Sequence, residues 1–260
     1  MNNTIDVMMN RVSLRRYDER PISKEHLDTI LECAMRAPTA GNMMLYSIIH
    51  VEDENKKEIL SRTCDNQPFI AKAPLVLVFL ADYQRWYDYY IHSQVPEYCK
   101  AKGMEFEGPS EANLLLASCD AMIAAQNAVI AGESLGIGSC YIGDIMENYE
   151  IHRELFDLPK WVFPIGMLCM GYYPEDYKRV KRERFDKKYI VYTDKYDESY
   201  KEHLEECFFD VERRFNKENK HGAKNMGQMH YAIKTGADFS KEMARSVREA
   251  LKNWNSEIIE

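Results

Sequence analysis

The stretch from Glu111 to Leu135 constrains the rest of the chain most. Leu114, Leu115, Leu116, Ala121, Met122, Ala124, Ala125, Ala128, Val129 and Ile130 leave little room for a polar face. Ser110 is placed to cap it as a helix. A helix apolar on most sides is stable in water only when buried. At about 1.5 Å of rise per residue it is long enough to cross a whole domain. Its alanines let another helix approach closely, from this chain or from a second subunit. Asp120, Gln126 and Asn127 interrupt the apolar run Leu114 to Gly132, which argues against a membrane span and for a core helix.

Around such a helix, 260 residues suffice for one large domain or two small ones. A hydrophobic fraction of 45% with 29% charged residues reads as soluble and globular. The formal net charge of −8 disfavours nonspecific nucleic-acid binding and a basic membrane-facing surface, so any anion site must be local. Seven cysteines, odd in number and without a C-x-x-C pair, suggest neither a disulfide framework nor a zinc knuckle and fit a reducing, cytoplasmic setting. Met1 to Asp6 lacks a basic region followed by an apolar core, so no secretory signal is expected.

The flanking pattern alternates helices and strands. Thr4 is a candidate cap for a helix to about Asn10, and Ser23 for one whose Leu27, Ile30, Leu31, Ala34 and Met35 share a face, ending at Pro38. The turn cluster Ala37 to Asn42 leads into a strand at Tyr46 to Val51. Asp53 caps a helix through Leu60, and the unbroken apolar run Leu75 to Ala81 predicts a central strand. Residues 85–109 read as an irregular, aromatic connection. Gly136, Gly138 and Gly143 follow a helix and precede a strand, the reverse of a dinucleotide fingerprint, so a Rossmann site is rejected. A short helix from Asn148 or Tyr149, a buried strand over Val162 to Gly171, a β-prone Tyr189 to Tyr192, and helices near Asp197 to Lys217 and Phe239 to Ile258 complete the reading. The last carries Phe239, Met243, Val247, Leu251, Trp254 and Ile258 on one stripe.

Two stretches invite an anion. Arg11, Val12, Ser13, Leu14 and Arg15 form the first: in extended backbone Arg11, Ser13 and Arg15 share a side while Leu14 faces the protein. Guanidinium forks suit phosphates and ring carbonyls, and Ser13 adds a hydroxyl. The plainer account is a charged turn whose arginines pair with Asp18 and Glu19. The second is the basic run Lys178 to Lys188, against which stands the usual solvated loop. His203 and Cys207 lie one helical turn apart but lack a third metal ligand at ordinary spacing, so no metal site is assigned.

Taken together, these stretches resemble the nitroreductase family, in its subgroup of oxygen-insensitive NADPH nitroreductases and NADPH-flavin reductases. Four blocks in register carry the likeness over about residues 5–200. They are Arg11-x-Ser13-x-Arg15; Ala37-Pro38-Thr39-Ala40-Gly41-Asn42 with Tyr46-Ser47-Ile48-Ile49; Gln126-Asn127-Ala128 with Glu133-Ser134-Leu135-Gly136-Ile137-Gly138 and Tyr141-Ile142-Gly143; and Leu168-Cys169-x-Gly171 followed by Arg182-x-Arg184.

The resemblance implies an α+β fold with a central mixed β-sheet flanked by helices, an intertwined homodimer, and FMN bound between the subunits. It implies a core over 1–200 and a C-terminal helical extension over 201–260. It assigns the FMN phosphate, ribityl chain and N1/C2 edge to Arg11, Ser13 and Arg15, with Val12 and Leu14 in the same segment. Arg182 and Arg184 complete that site. Thr39 and Gln67 sit where the family contacts flavin, and Tyr141, Ile142, Gly143 and Asp144 match the loop beside the ring and its N5. No side chain is required as nucleophile or general base: cations near N1 and O2 favour reduced flavin, and an N–H near N5 orients it.

The implied activity is FMN-dependent NAD(P)H oxidoreduction by a ping-pong mechanism, with a nitroaromatic, quinone or free flavin as small-molecule acceptor and NADPH or NADH as donor. Two other readings stand beside it. One is a specialised flavin-dependent dehydrogenase or dehalogenase, or a flavin-binding protein with another acceptor. The other is a non-enzymatic binding protein using the basic loop 178–188.

Overall fold

A computed structural model of the chain describes residues 2–256. In chain order it contains α1 (Asn3–Asn10), α2 (Lys24–Met35), β1 (Tyr46–His50), α3 (Glu54–Thr63), β2 (Leu75–Asp82), α4 (Gln84–His92), α5 (Val95–Ala101), α6 (Glu111–Ser134), β3 (Ile137–Ile142), α7 (Tyr149–Leu155) and β4 (Val162–Tyr172). The short α8 (Leu204–Cys207), α9 (Phe209–Glu212) and α10 (Met226–His230) precede α11 (Asp238–Asn255). Two compact units result: Met1–Arg179 with Glu242–Glu260, and Val180–Lys241. The boundary expected at residue 200 falls inside the second unit, and most of the last helix counts with the first.

The first unit is built on a four-stranded sheet in the order β1-β2-β4-β3. β2 is buried along its whole length, as its apolar run requires, and the period of two divides it between two cores. Leu75, Leu77 and Phe79 join Ile30 and Ala34 of α2 and the alanine face of α6. Val76, Val78 and Leu80 join Leu60 of α3, with Cys140, Ile142, Met167 and Cys169 from the neighbouring strands. Helices therefore cover both faces. A third cluster seats the stripe of α11, where Val247, Ala250, Leu251 and Trp254 pack with Leu45, Ala81, Leu114 and Trp161. Ile258, expected on that stripe, lies outside the described residues.

Several local readings need correction. Every strand pair is antiparallel, and parallel pairing is confined to a bridge between Ser13 and Ser139, so the sheet is mixed only at that edge. The chain touches β3 there for a single residue and turns away. Residues 85–109 are largely helical, because Trp86, Tyr87 and Tyr90 recur at three- and four-residue intervals and α5 starts with Pro96 in its first turn. Asn2, rather than Thr4, caps α1, its side chain accepting from Thr4 N at 2.8 Å. Tyr189 to Tyr192 forms no strand; Tyr189 ends a 3₁₀ turn, Lys187–Tyr189, and the described residues of its unit offer no strand to pair with. The helix expected over Asp197 to Lys217 is broken into short pieces around Phe208, whose ring packs against Phe185 at 5.0 Å. Finally, α6 is buried on one face only. Ala117, Ala121, Ala124, Ala128 and Gly132 lie against the sheet, whereas Leu115, Leu116, Cys119 and Ile123 are exposed in the single chain.

Candidate functional site

β3 is an edge strand, and its free side receives the arginine segment. Leu14 N donates to Ser139 O at 2.9 Å, which pins the segment, and the Leu14 side chain is fully buried while Ser13 and Arg15 stay exposed. The expected alternation thus holds. Arg15, Ser13 and Arg11 converge on the thiol of Cys140, which burial pushes up and these three groups draw back down. Arg15 also lies 5.8 Å from the centre of the Phe69 ring. From the far end of β4, Tyr173 donates its hydroxyl to Val12 O at 3.4 Å, and Tyr177 does the same to Ser13 O at 3.3 Å.

The pairing of the arginines bears on the two accounts of this segment. Arg16 pairs with Asp176 at 2.9 Å and Arg20 with Asp18 at 2.7 Å. Among the described residues neither Arg11 nor Arg15 has an ion-pair partner, and Arg11 Nε is buried with no hydrogen-bond partner at all. A buried guanidinium N–H without an acceptor is costly unless a ligand supplies one.

Beyond Cys140 the strand carries Tyr141 and Ile142 into a 3₁₀ turn, Gly143–Met146. Tyr141 donates to Gln126 Oε1 at 3.3 Å; burial pushes its hydroxyl up to about 12, and Arg11 pulls the other way. Ile142 is buried, whereas a Cβ placed on Gly143 would meet nothing within 4 Å, so that side of the turn is open. Asp144 accepts from Gln67 Nε2 at 2.8 Å, which joins the loop after α3 to this turn.

Thr39 is held from elsewhere. Its hydroxyl donates to Asp120 Oδ2 on α6 and accepts from Met44 N at 2.8 Å. Asp120, 3% exposed, also takes Ala40 N at 3.0 Å and Leu45 N at 3.2 Å. The loop 39–45 is therefore folded around a buried carboxylate.

Arg11, Ser13, Arg15 and Tyr141 thus come together, and Gln67 joins them through Asp144. Arg182 and Arg184 are exposed and belong to the second unit, where Arg184 lines a cavity with Phe185, Tyr189, Glu206, Asp210 and Arg214. Cations without carboxylates, an orphaned buried donor and open space over Gly143 suit a planar anionic cofactor such as FMN.

A family model described as "Nitroreductase family" matches residues 8–172. The chain belongs to the nitroreductase family. It is 36% identical over 174 residues to an FMN reductase (NADPH) of Bacillus subtilis, and that match covers 66% of each chain, so the chain spans just under two thirds of that relative. Another B. subtilis relative, an FMN reductase [NAD(P)H], is 33% identical over 196 residues, covering 75% of each. Among solved structures, NfrA2 of B. megaterium matches over 100% of both chains with a TM-score of 0.78 at 28% identity. Both of these B. subtilis relatives are named as FMN reductases, one with NADPH and one with NAD(P)H as donor.

Two residues of this candidate site were not singled out from the sequence. Asp120 carries a usable signal, since an acid inside an apolar helix must find donors. Phe69 carries none, for its place beside Arg15 arises from loop packing. Within the basic run, Arg179 is structural: it pairs with the buried Glu133 at 3.2 Å and lies 4.0 Å from the centre of the Tyr173 ring.

Proposed function

We propose that this chain is a homodimeric FMN-dependent oxidoreductase that takes electrons from NADPH or NADH and passes them to a small aromatic acceptor: a nitroaromatic, a quinone or free flavin. The observation that carries this reading is the pair Arg11 and Arg15, cations without carboxylate partners among the described residues, one with a buried unsatisfied Nε, on the segment whose Ser13 supplies a hydroxyl. These side chains bind and neutralise the anionic parts of the cofactor. Val12 and Leu14 keep the segment on the edge of β3.

FMN, when bound, supplies a two-electron carrier between donor and acceptor. The open side of Gly143 would admit the ring, and the backbone of Tyr141, Ile142, Gly143 and Asp144 would help to hold it. Gln67 orients Asp144 and contributes an amide edge. Thr39, whose hydroxyl is committed to Asp120 and Met44, acts by fixing its loop. No side chain is assigned as nucleophile.

A second copy of the chain is supported by the apolar residues exposed on α1 and α6, among them Met8, Met9, Leu115 and Ile123. Such a surface on two adjoining helices is what an obligate partner covers. A reducing, cytoplasmic setting accords with seven free cysteines.

The test is the visible spectrum of the purified protein, supplied with FMN, before and after anaerobic NADPH and then NADH. Bleaching of a flavin band supports the reading, and the relative rates assign the donor. A protein that stays colourless with excess FMN refutes it. One that holds flavin which neither donor reduces points to a different acceptor chemistry.

A further inference from the structure

Behind the Gly143–Met146 turn lies a carboxyl group that cofactor binding leaves unused. Glu147 closes the turn, donating its N–H to Asp144 O at 3.0 Å. Its side chain points inward, 4% exposed, and Oε1 has no hydrogen-bond partner. The neighbouring acid is Asp144, which Gln67 Nε2 holds at 2.8 Å while also reaching Cys64 O at 3.0 Å. Asp144 and Glu147 stand three residues apart on one 3₁₀ turn, which brings their carboxyls onto the same side, and Gln67 holds the first of them.

The groups facing Glu147 are almost all acidic or neutral. Asp144 comes from the turn itself, Asp65 from the loop after α3, and Glu242 from α11; all three raise its affinity for a proton. Cys64 lies at the end of α3. His152 of α7 is engaged by Thr63 Oγ1 at 2.8 Å and Ile145 O at 2.9 Å, and burial draws it toward its neutral form. Glu242 is itself paired with Arg245 at 2.7 Å. Among the described residues no cation forms an ion pair with Glu147 or Asp144.

Two adjacent carboxyls without a cation, Glu147 buried and Asp144 half-buried, do not both ionise readily. Burial first, then Asp144, pushes Glu147 up to about 8 from its ordinary 4.5, so at neutral pH it keeps its proton. That proton gives Glu147 a donor toward Asp144.

We propose that Glu147 is a positioning residue of the cofactor site: as a neutral acid it ties Asp144 to its own side chain, and through Asp144 it holds Gln67 against the Gly143–Met146 turn. Losing the proton to solvent leaves two carboxylates facing one another, and the turn loosens. This rests on the reading of Gly143, Asp144 and Gln67 as part of the FMN site. The consequence is a cofactor affinity that weakens in mildly alkaline solution.

The experiment titrates FMN into the full chain by flavin fluorescence from pH 6.5 to 9.5. It compares wild type, Glu147→Gln and Asp144→Asn, with hydrogen exchange of the 144–147 amides measured in parallel without FMN. Wild-type affinity falls above the midpoint by up to about tenfold per pH unit, the limit for one linked proton. Glu147→Gln keeps its neutral-pH affinity throughout, and Asp144→Asn, which removes one of the two facing carboxylates, binds FMN with a flattened pH profile. The amides of wild type, corrected for intrinsic rates, open over the same interval, and those of Glu147→Gln do not. Tight FMN binding with the same pH profile in all three proteins overturns the role of Glu147 and leaves the proposed function standing. Absence of FMN binding at every pH overturns the proposed function, and the exchange profile then decides the tie alone: opening that is indifferent to pH, or the same in Glu147→Gln, refutes it.

Discussion

Asp120 and Thr39 stand 81 positions apart and share a proton donor and its acceptor, with Asp120 Oδ2 receiving the Thr39 hydroxyl. The same carboxylate takes the backbone N–H groups of Ala40 and Leu45. One buried acid on α6 thereby shapes the loop that leads into β1, and the long helix serves the site as well as the core. Its charge is stabilised by three donors rather than by a cation.

Replacing Asp120 with Asn keeps the shape but puts an NH2 group where an acceptor is needed, leaving at least one backbone donor unpaired. The expected loss of stability is about 1–3 kcal/mol, read as a lower urea midpoint at unchanged slope. FMN retention should fall with it. Wild-type stability in Asp120→Asn would mean that the loop does not depend on this carboxylate.

Arg15→Ala removes a cation that has no ion-pair partner among the described residues, so the fold should barely register it, with a change within about 0.5 kcal/mol. FMN affinity should drop about 10- to 100-fold, the scale of one charge-assisted hydrogen bond. Arg16→Ala is the control: its pair with Asp176 is exposed on both sides and worth little, and FMN binding should hold. Unchanged flavin content and reduction rate in Arg15→Ala would remove that residue from the site.

Ile123 is 40% exposed on α6, on the face that also carries Leu115 and Cys119. Ile123→Glu should turn a dimer into a monomer by light scattering coupled to size exclusion, because burying the introduced charge against an apolar partner is prohibitive. The Cys119 thiol should then react faster with a soluble disulfide reagent than in wild type. A variant that elutes and scatters as wild type would place the subunit contact elsewhere.

Much of the architecture was legible because it follows from periodicity. The uninterrupted run of β2 implies cover on both faces, and the stripe of α2 behind its cap at Ser23 and the stripe of α11 each imply one partner surface; all of these are found. The aromatic stretch after β2 hides its helices, because exposed tyrosines such as Tyr89 and Tyr98 dilute the helical spacing and suggest a loop when composition is weighed above interval. The arginine segment was legible as a candidate, but whether Arg11 and Arg15 face carboxylates is a tertiary fact that spacing does not encode. The tie from Gln67 to Asp144 is of the same kind, since it joins loops 77 positions apart.

Two glycines near the site separate packing from binding. A Cβ on Gly138 would lie 2.6 Å from the Tyr173 ring and 2.8 Å from Leu14 Cδ2, both held in place, so Gly138→Ala should cost about 1–3 kcal/mol in thermal or denaturant unfolding. A Cβ on Gly143 meets nothing within 4 Å of the chain itself. Gly143→Ala should therefore fold with wild-type stability to within about 0.5 kcal/mol and still bind FMN more weakly, since the added methyl enters the space assigned to the ring. Equal FMN affinity in Gly143→Ala and wild type, with Gly138→Ala destabilised as expected, would move the ring away from this turn while leaving the arginine segment as its anion site.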